Sequence, residues 1–390
     1  MAGALASCGG SRPQPPTTTS APPPPTTTTV AKPPPQNAAL PWPTYGAENA
    51  RQRAVAATGL QPPFRRLWTF HGHALLEFPP VVGYGSVFEE AFDGRLYSID
   101  PANGRTRWVY SAHRCGWSSP ALADHLLFAT FIGNSECKAT LTGGELVALS
   151  PQTGHIQWRR AIGPSESSPL VENGTVYVGD QDGYVSAFAA GTGHVRWRYA
   201  TGAPIKASPT LAYGRIYIGT YAGEMLALSA GTGRPVWHTF GYGRFYSTAA
   251  VNAGRVYVGS LDGRVYAFSA RNGHVLWSAG TGSYVYASPA VWRGLVLVGS
   301  YDDTFYALDG GTGSVRWTYH ARAQISGAAS VVDGFVYFSS FDHRTYALAA
   351  TNGHLRAEWP DGEYSPAVAG NGRLYLVGLG RIYALIPAVR

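Results

Sequence analysis

Lysine is almost missing from this chain: Lys32, Lys138 and Lys206 stand alone among 30 basic residues. Charged side chains make up only 14% of the sequence, and there are three cysteines. Each shortage excludes something. Cys8, Cys115 and Cys137 form no Cys-x-x-Cys pair, so a zinc cluster or dithiol redox motif is unsupported. No basic run exceeds Arg65-Arg66 or Arg159-Arg160. Arg107, Arg196, Arg198 and Arg316 flank tryptophans, where strand alternation turns them to solvent. The formal charge of +7 is therefore no nucleic-acid footprint, which needs clustered charge. No segment is apolar for long enough to cross a bilayer as a helix. Ser/His/Asp arrangements, phosphate loops and zincin motifs are also missing, so no catalytic residue is assigned.

Glycine, by contrast, is plentiful at 48 residues, and aromatics reach 13%, the balance of many short strands joined by tight turns. The pattern Gly-x-x-x-Trp recurs at Gly104, Gly154, Gly193, Gly233, Gly273 and Gly313, with Gly353 following. Successive steps are 50, 39, 40, 40, 40 and 40 residues. Each unit holds four apolar stretches, as in YASPAV, LVLVGS, TFYALD and SVRWTY between residues 286 and 319. Four strands with hairpin turns make an antiparallel meander that buries both faces only by packing against neighbours.

Eight innermost-strand segments can be counted, from Phe78-Pro79-Pro80 to Tyr364-Ser365-Pro366. The last unit lacks its outer strand, while RLWTF around Trp68 lacks a partner. The sequence therefore predicts an all-β, eight-bladed β-propeller of four-stranded antiparallel blades, closed by the N-terminal strand joining the last blade. Eight tryptophans, counting Trp68 and Trp359, are expected to fill the widening wedge between blades.

The motif Ala-x-x-x-Thr-Gly-x-x-x-Trp, written here from Ala189 to Trp197 and echoed from Ala227 to Trp237, resembles that of quinoprotein-like propellers. The resemblance covers about residues 42–390, with 42–66 as a lead-in beginning Trp42-Pro43-Thr44-Tyr45-Gly46. That family includes quinone-dependent dehydrogenases, BamB-type outer-membrane assembly lipoproteins and scaffold or sensor domains. The dehydrogenases are longer and hold pyrroloquinoline quinone (PQQ) with Ca²⁺, often beside adjacent cysteines. This chain has no Cys-Cys pair and one enlarged loop, so the expected function is a non-catalytic protein-binding or assembly scaffold without cofactor or metal. A PQQ-binding oxidoreductase or quinone sensor is the first alternative, and a carbohydrate-binding surface the second.

Residues 1–41 are a different material. Their Pro/Thr-rich composition favours an extended, disordered tether. Leu5-Ala6-Ser7-Cys8 resembles a bacterial lipobox, which implies lipidation of Cys8. The expected setting is an extracytoplasmic monomer, lipid-anchored to a bacterial envelope and bound to a protein partner there. Arginine's dominance over lysine suggests a GC-rich bacterium.

Site residues are sought at the mouth of the channel. The position three before each Ser-Pro proline reads Glu77, Trp117, Glu166, Lys206, Tyr246, Tyr286, Ser326 and Glu363 around the ring. These vary where their surroundings are nearly constant, so packing does not dictate them. Adjacency lets Glu166 pair with Lys206 as a solvent-exposed bridge and brings Glu77 near Glu363 at the closure. The Cys115 loop and the Cys137 enlargement share that face, which makes a Cys115–Cys137 disulfide plausible.

Overall fold

The computed structural model describes residues 41–56, 58–133, 137 and 142–388; Cys8 and the Pro/Thr-rich stretch lie outside these residues. Every regular element is a β-strand, and the strands form eight sheets. The blade read above consists of Ala290–Trp292, Leu295–Gly299, Thr304–Asp309 and Val315–His320 in antiparallel order. Seven blades are continuous in sequence. The eighth joins Val368–Gly370, Arg373–Gly378 and Arg381–Pro387 to Phe64–His71 from the other end of the chain. Trp68 pairs with Ala384, so the ring closes as the sequence predicts, and its circularity protects edges that an open array would expose.

Innermost strands are shorter than expected, with three ladder residues at Ala290–Trp292. Proline supplies no N–H to a ladder, and the residue before it turns its bonding toward the next blade. Ser119 N–H donates to Ser168 Oγ, Ser168 N–H to Ser208 Oγ, Ser208 N–H to Thr248 Oγ1 and Thr248 N–H to Ser288 Oγ, at 2.9–3.0 Å. A relay of hydroxyls thus stitches five blades together around the axis. Pro79 and Ala328 hold the equivalent places in two other blades, where a side-chain hydroxyl is lacking.

The tryptophans act at the outer edge. Each of seven indoles, from Trp68 through Trp317, donates Nε1–H to a carbonyl of the following blade. The ring lies over that blade's turn glycine: a Cβ at Gly233 would come within 2.5 Å of Trp197, and one at Gly273 within 2.5 Å of Trp237. Both glycines also have positive φ, so the position excludes side chains by conformation and by contact. Trp359 does not follow its expected role. Ala357 occupies the docking register, paired with Ala347 as Trp317 is paired with Ala307. The physical reason is closure itself. The third and fourth strands of the last blade come from opposite chain ends, so no hairpin glycine exists there for an indole to cover.

The lead-in has a larger structural role than its sequence suggests. It passes around the axis, bonding through its backbone to the innermost strands of successive blades: Trp42 with Val82, Pro43 with Leu122, Asn49 with Leu211, Ala50 with Val251, Gln52 with Val291 and Arg53 with Val331. Arg51 and Arg53 are fully buried at the centre. Arg51 donates to the carbonyls of Pro209, Tyr45, Ser168 and Pro169, and Arg53 to those of Arg51 and Pro289. Both guanidinium groups lie over the Tyr45 ring, at 5.4 and 4.6 Å. This segment closes the channel at the end opposite the loops that enter the innermost strands.

Candidate functional site

Closure at one end leaves a cup at the other. Its volume is about 410 Å³, with Tyr45 of the lead-in and Ser288 of the hydroxyl relay among its lining residues. Six of the eight predicted mouth residues line it: Glu77, Glu166, Lys206, Tyr246, Tyr286 and Ser326. Trp117 lies instead in an adjoining recess with Glu77, Glu166 and Lys206, stacked on Phe92 at 5.6 Å between ring centroids. Glu363 faces His343, 3.7 Å away.

One side of the cup is internally satisfied. Lys206 Nζ donates to Glu166 Oε1 at 2.9 Å, Gln181 Nε2 donates to the same oxygen at 2.7 Å, and the Tyr246 hydroxyl donates to Oε2 at 2.9 Å. The Glu166 side chain is 5% exposed and that of Lys206 25%. The pair is therefore not the solvent-exposed bridge expected from sequence. It is a partly buried ion pair, its carboxylate enclosed and held by additional hydrogen bonds, and loss of Lys206 would leave that carboxylate without its counter-charge. The ammonium also lies over the rings of Tyr221 and Tyr246, at 5.5 and 5.7 Å.

The adjoining Glu77 wall is different. The Glu77 carboxyl is pushed up to about 7, first by burial and then by the negative charges of Glu166 and Glu363. Burial, followed by the neighbouring carboxyl of Glu363, raises the Tyr364 phenol as well. Between the two sides runs an arc of rings in mutual contact: Tyr246–Tyr286 at 5.3 Å, Tyr286–Tyr301 at 4.7 Å, Tyr301–Phe341 at 5.8 Å and Phe341–Tyr364 at 5.5 Å. Tyr45, Tyr221, Tyr301, Phe341 and Tyr364 were not singled out from sequence. Tyr221, Tyr301 and Phe341 share a signal that could have found them, since each follows the second strand of its blade at the position occupied elsewhere by Gln181 and Leu261. Tyr45 carries no such mark, because the lead-in lies outside the repeat.

Cys115 and Cys137 are joined in a disulfide with Cα atoms 5.5 Å apart, on the mouth side of the second blade. The closed loop spans 22 residues, which in the chain-entropy account stabilises the fold by about 3 kcal/mol.

A family model described as "Outer membrane protein assembly factor BamB" matches residues 65–167, 142–244 and 240–358. A BamB from Bordetella pertussis is 30% identical over 112 residues, 29% of this chain and 28% of that relative's length. The match therefore spans less than a third of the relative. Among solved structures, BamB from Moraxella catarrhalis superposes with a TM-score of 0.69 at 18% identity, covering 83% of this chain and all of that one. A quinohemoprotein alcohol dehydrogenase from Comamonas testosteroni reaches 0.72 at 15% identity, covering 90% of this chain and 81% of its own. These structural likenesses establish the fold alone. The repeat match across three quarters of the sequence, on blades whose docked tryptophans and ring closure are described above, shows that the chain belongs to the PQQ-repeat family of outer membrane protein assembly factor BamB.

Proposed function

We propose that this protein is a non-catalytic assembly scaffold, tethered outside the cytoplasm, that presents its mouth face to a protein partner in the cell envelope. The observation that carries the reading is the aromatic arc at the cup. Tyrosine and phenylalanine rings held by neighbouring blades offer large, rigid contact area at little entropic cost. The rim continues the pattern outward, with Tyr242 92% exposed and Tyr284 52% exposed. Membership of a family described as an outer membrane assembly factor supports a protein partner, and Leu5-Ala6-Ser7-Cys8 supports lipid attachment at Cys8. Mass spectrometry of the mature N-terminus tests the anchor.

The cup does not fit PQQ with Ca²⁺. The quinone carries three carboxylates, whereas this lining offers Glu77, Glu166 and one lysine already paired to Glu166. No group of three or more His, Cys, Asp or Glu among the described residues is arranged to hold a metal ion.

A photo-crosslinking residue at Tyr242, on the mouth face, is expected to capture one distinct envelope protein. The same residue at Tyr213, 62% exposed on the hairpin at the opposite face, is expected not to. Equal capture from both positions would overturn the assignment of the partner to the mouth.

A further inference from the structure

We infer that the side of the cup formed by Glu77, Phe341 and Tyr364 is a receptor for a cationic side chain, an arginine or lysine carried by the docked polypeptide. The inference rests on the scaffold reading and adds to it the chemistry of the contact.

The protein itself shows what its cup walls accept. On the satisfied side a carboxylate, Glu166, and two tyrosine rings hold the Lys206 ammonium. Arg244 adds a second example, its guanidinium 4.9 Å from the Tyr221 ring centroid. An aromatic face attracts a cation through its quadrupole, most strongly where water is excluded. The wall formed by Glu77, Phe341 and Tyr364 repeats these ingredients with different residues, Glu77 also bordering the recess of Glu166 and Lys206. Phe341 and Tyr364 are in ring contact, and Glu363 and Glu77 act on the Tyr364 phenol through their charge. No ion pair joins Glu77 to a basic residue among the described residues, and Glu363 meets the exposed His343 at 3.7 Å and the Tyr364 hydroxyl. The blade carrying Glu166 is followed by one carrying Lys206, whereas Glu363 is followed around the closure by Glu77, a second acid. A cation between them would relieve the repulsion and meet the rings.

The geometry also separates this ligand from its rivals. A guanidinium or ammonium on an aliphatic stem suits a walled cup lined by the partly buried Glu77 carboxyl and by aromatic rings. An anionic side chain would meet Glu77, Glu166 and Glu363. A neutral aliphatic group would fit the rings and leave the carboxyls unchanged.

The test is a saturation-transfer NMR titration of the full chain with N-acetyl-arginine methylamide and N-acetyl-lysine methylamide. The norleucine analogue and a neutral disaccharide serve as comparators. Expected are saturable binding of the two cations with Kd of about 1–10 mM, as suits one side chain, and at least about tenfold weaker binding of norleucine. Glu77→Gln, and Phe341→Leu, which keeps the apolar fill and removes the π face, should each weaken arginine binding about fivefold or more. Melting curves establish that both variants are folded. Equal binding of norleucine, unchanged affinity in both variants, or saturation by the disaccharide alone would overturn the inference. Crosslinking from Tyr242 separates the two readings: capture of a partner without arginine binding removes the cation receptor and leaves the scaffold, while arginine binding without capture does the reverse.

Discussion

At the scale of single residues, the most informative position is one where the repeat is broken. Glu89 is wholly buried, neither carboxyl oxygen has a hydrogen-bond partner among the described residues, and Glu90 beside it is buried too. Ala129, Val178, Ile218, Val258, Val298, Phe338 and Leu376 hold the same register in the other blades, so seven copies answer the position with an apolar side chain. Burial, reinforced by the neighbouring Glu90, raises the Glu89 carboxyl well above its ordinary 4.5. The folded state therefore keeps a proton that the unfolded chain releases near pH 4.5, and stability falls as pH climbs above that value. Glu89→Leu is expected to raise stability at pH 7 by about 1–3 kcal/mol. The gain should shrink toward pH 4, as chemical denaturation across that range would show; a pH-independent effect would contradict the assignment. A second residue-scale expectation concerns the docks. Trp237→Ala should cost about 3–5 kcal/mol, the range for a buried aromatic, and Trp359→Ala distinctly less, because Trp359 is only half-buried and covers no glycine. Paired denaturant titrations distinguish them.

At the scale of elements, what could be read from sequence divides along the repeat. Strand order, blade number and the role of RLWTF were legible because period-two alternation, turn glycines and a forty-residue spacing state them repeatedly. The mouth residues were legible as positions, since variation at a fixed place marks freedom from packing. Their pairings were legible only as adjacency, and the burial of Glu166 with Lys206 required knowing that Tyr246 and Gln181 reach the same carboxylate. The path of the lead-in was not legible at all. Its Arg51 and Arg53 look like surface charge, and their backbone conformation, with φ of 53° and 55°, has no local sequence signal. Burial lowers the Arg51 guanidinium to about 9, and the surrounding carbonyls, the Tyr45 ring and Glu48 offset the cost of bringing that charge into the axis. Arg51→Ala should therefore leave those carbonyls unpaired and lower stability by about 2–4 kcal/mol. Proteolytic cleavage within residues 42–60 should accelerate as the plug loosens. Unchanged cleavage would mean that the backbone pairing alone secures the segment.

For the molecule as a whole, the ring is symmetric in fold and asymmetric in fastening. Seven of its interfaces carry an indole docked on a glycine, and the eighth, between the blade ending in Leu355–Pro360 and the blade completed by Phe64–His71, carries none. Phe64, Arg66, Trp359, Pro360, Tyr383 and Leu385 line a groove there instead, with Phe64 and Trp359 ring centroids 6.2 Å apart. The backbone ladder from Phe64 to His71 remains complete apart from one register shift, so what is missing at the seam is the indole docked on a glycine of the next blade. Local opening begins where few buried contacts hold an element, which places the first opening of the ring at this seam. Native-state hydrogen exchange should then show amides of residues 355–360 exchanging at least about tenfold faster than those of residues 275–280 and 315–320, whose outer strands are docked. Val275–Gly280 provides the sharpest comparison, because it has the same length as Leu355–Pro360 and the same pairing to a six-residue third strand. Equal protection of the three strands would mean that the ladders alone set local stability and that the indole docks add nothing to the closure of the ring.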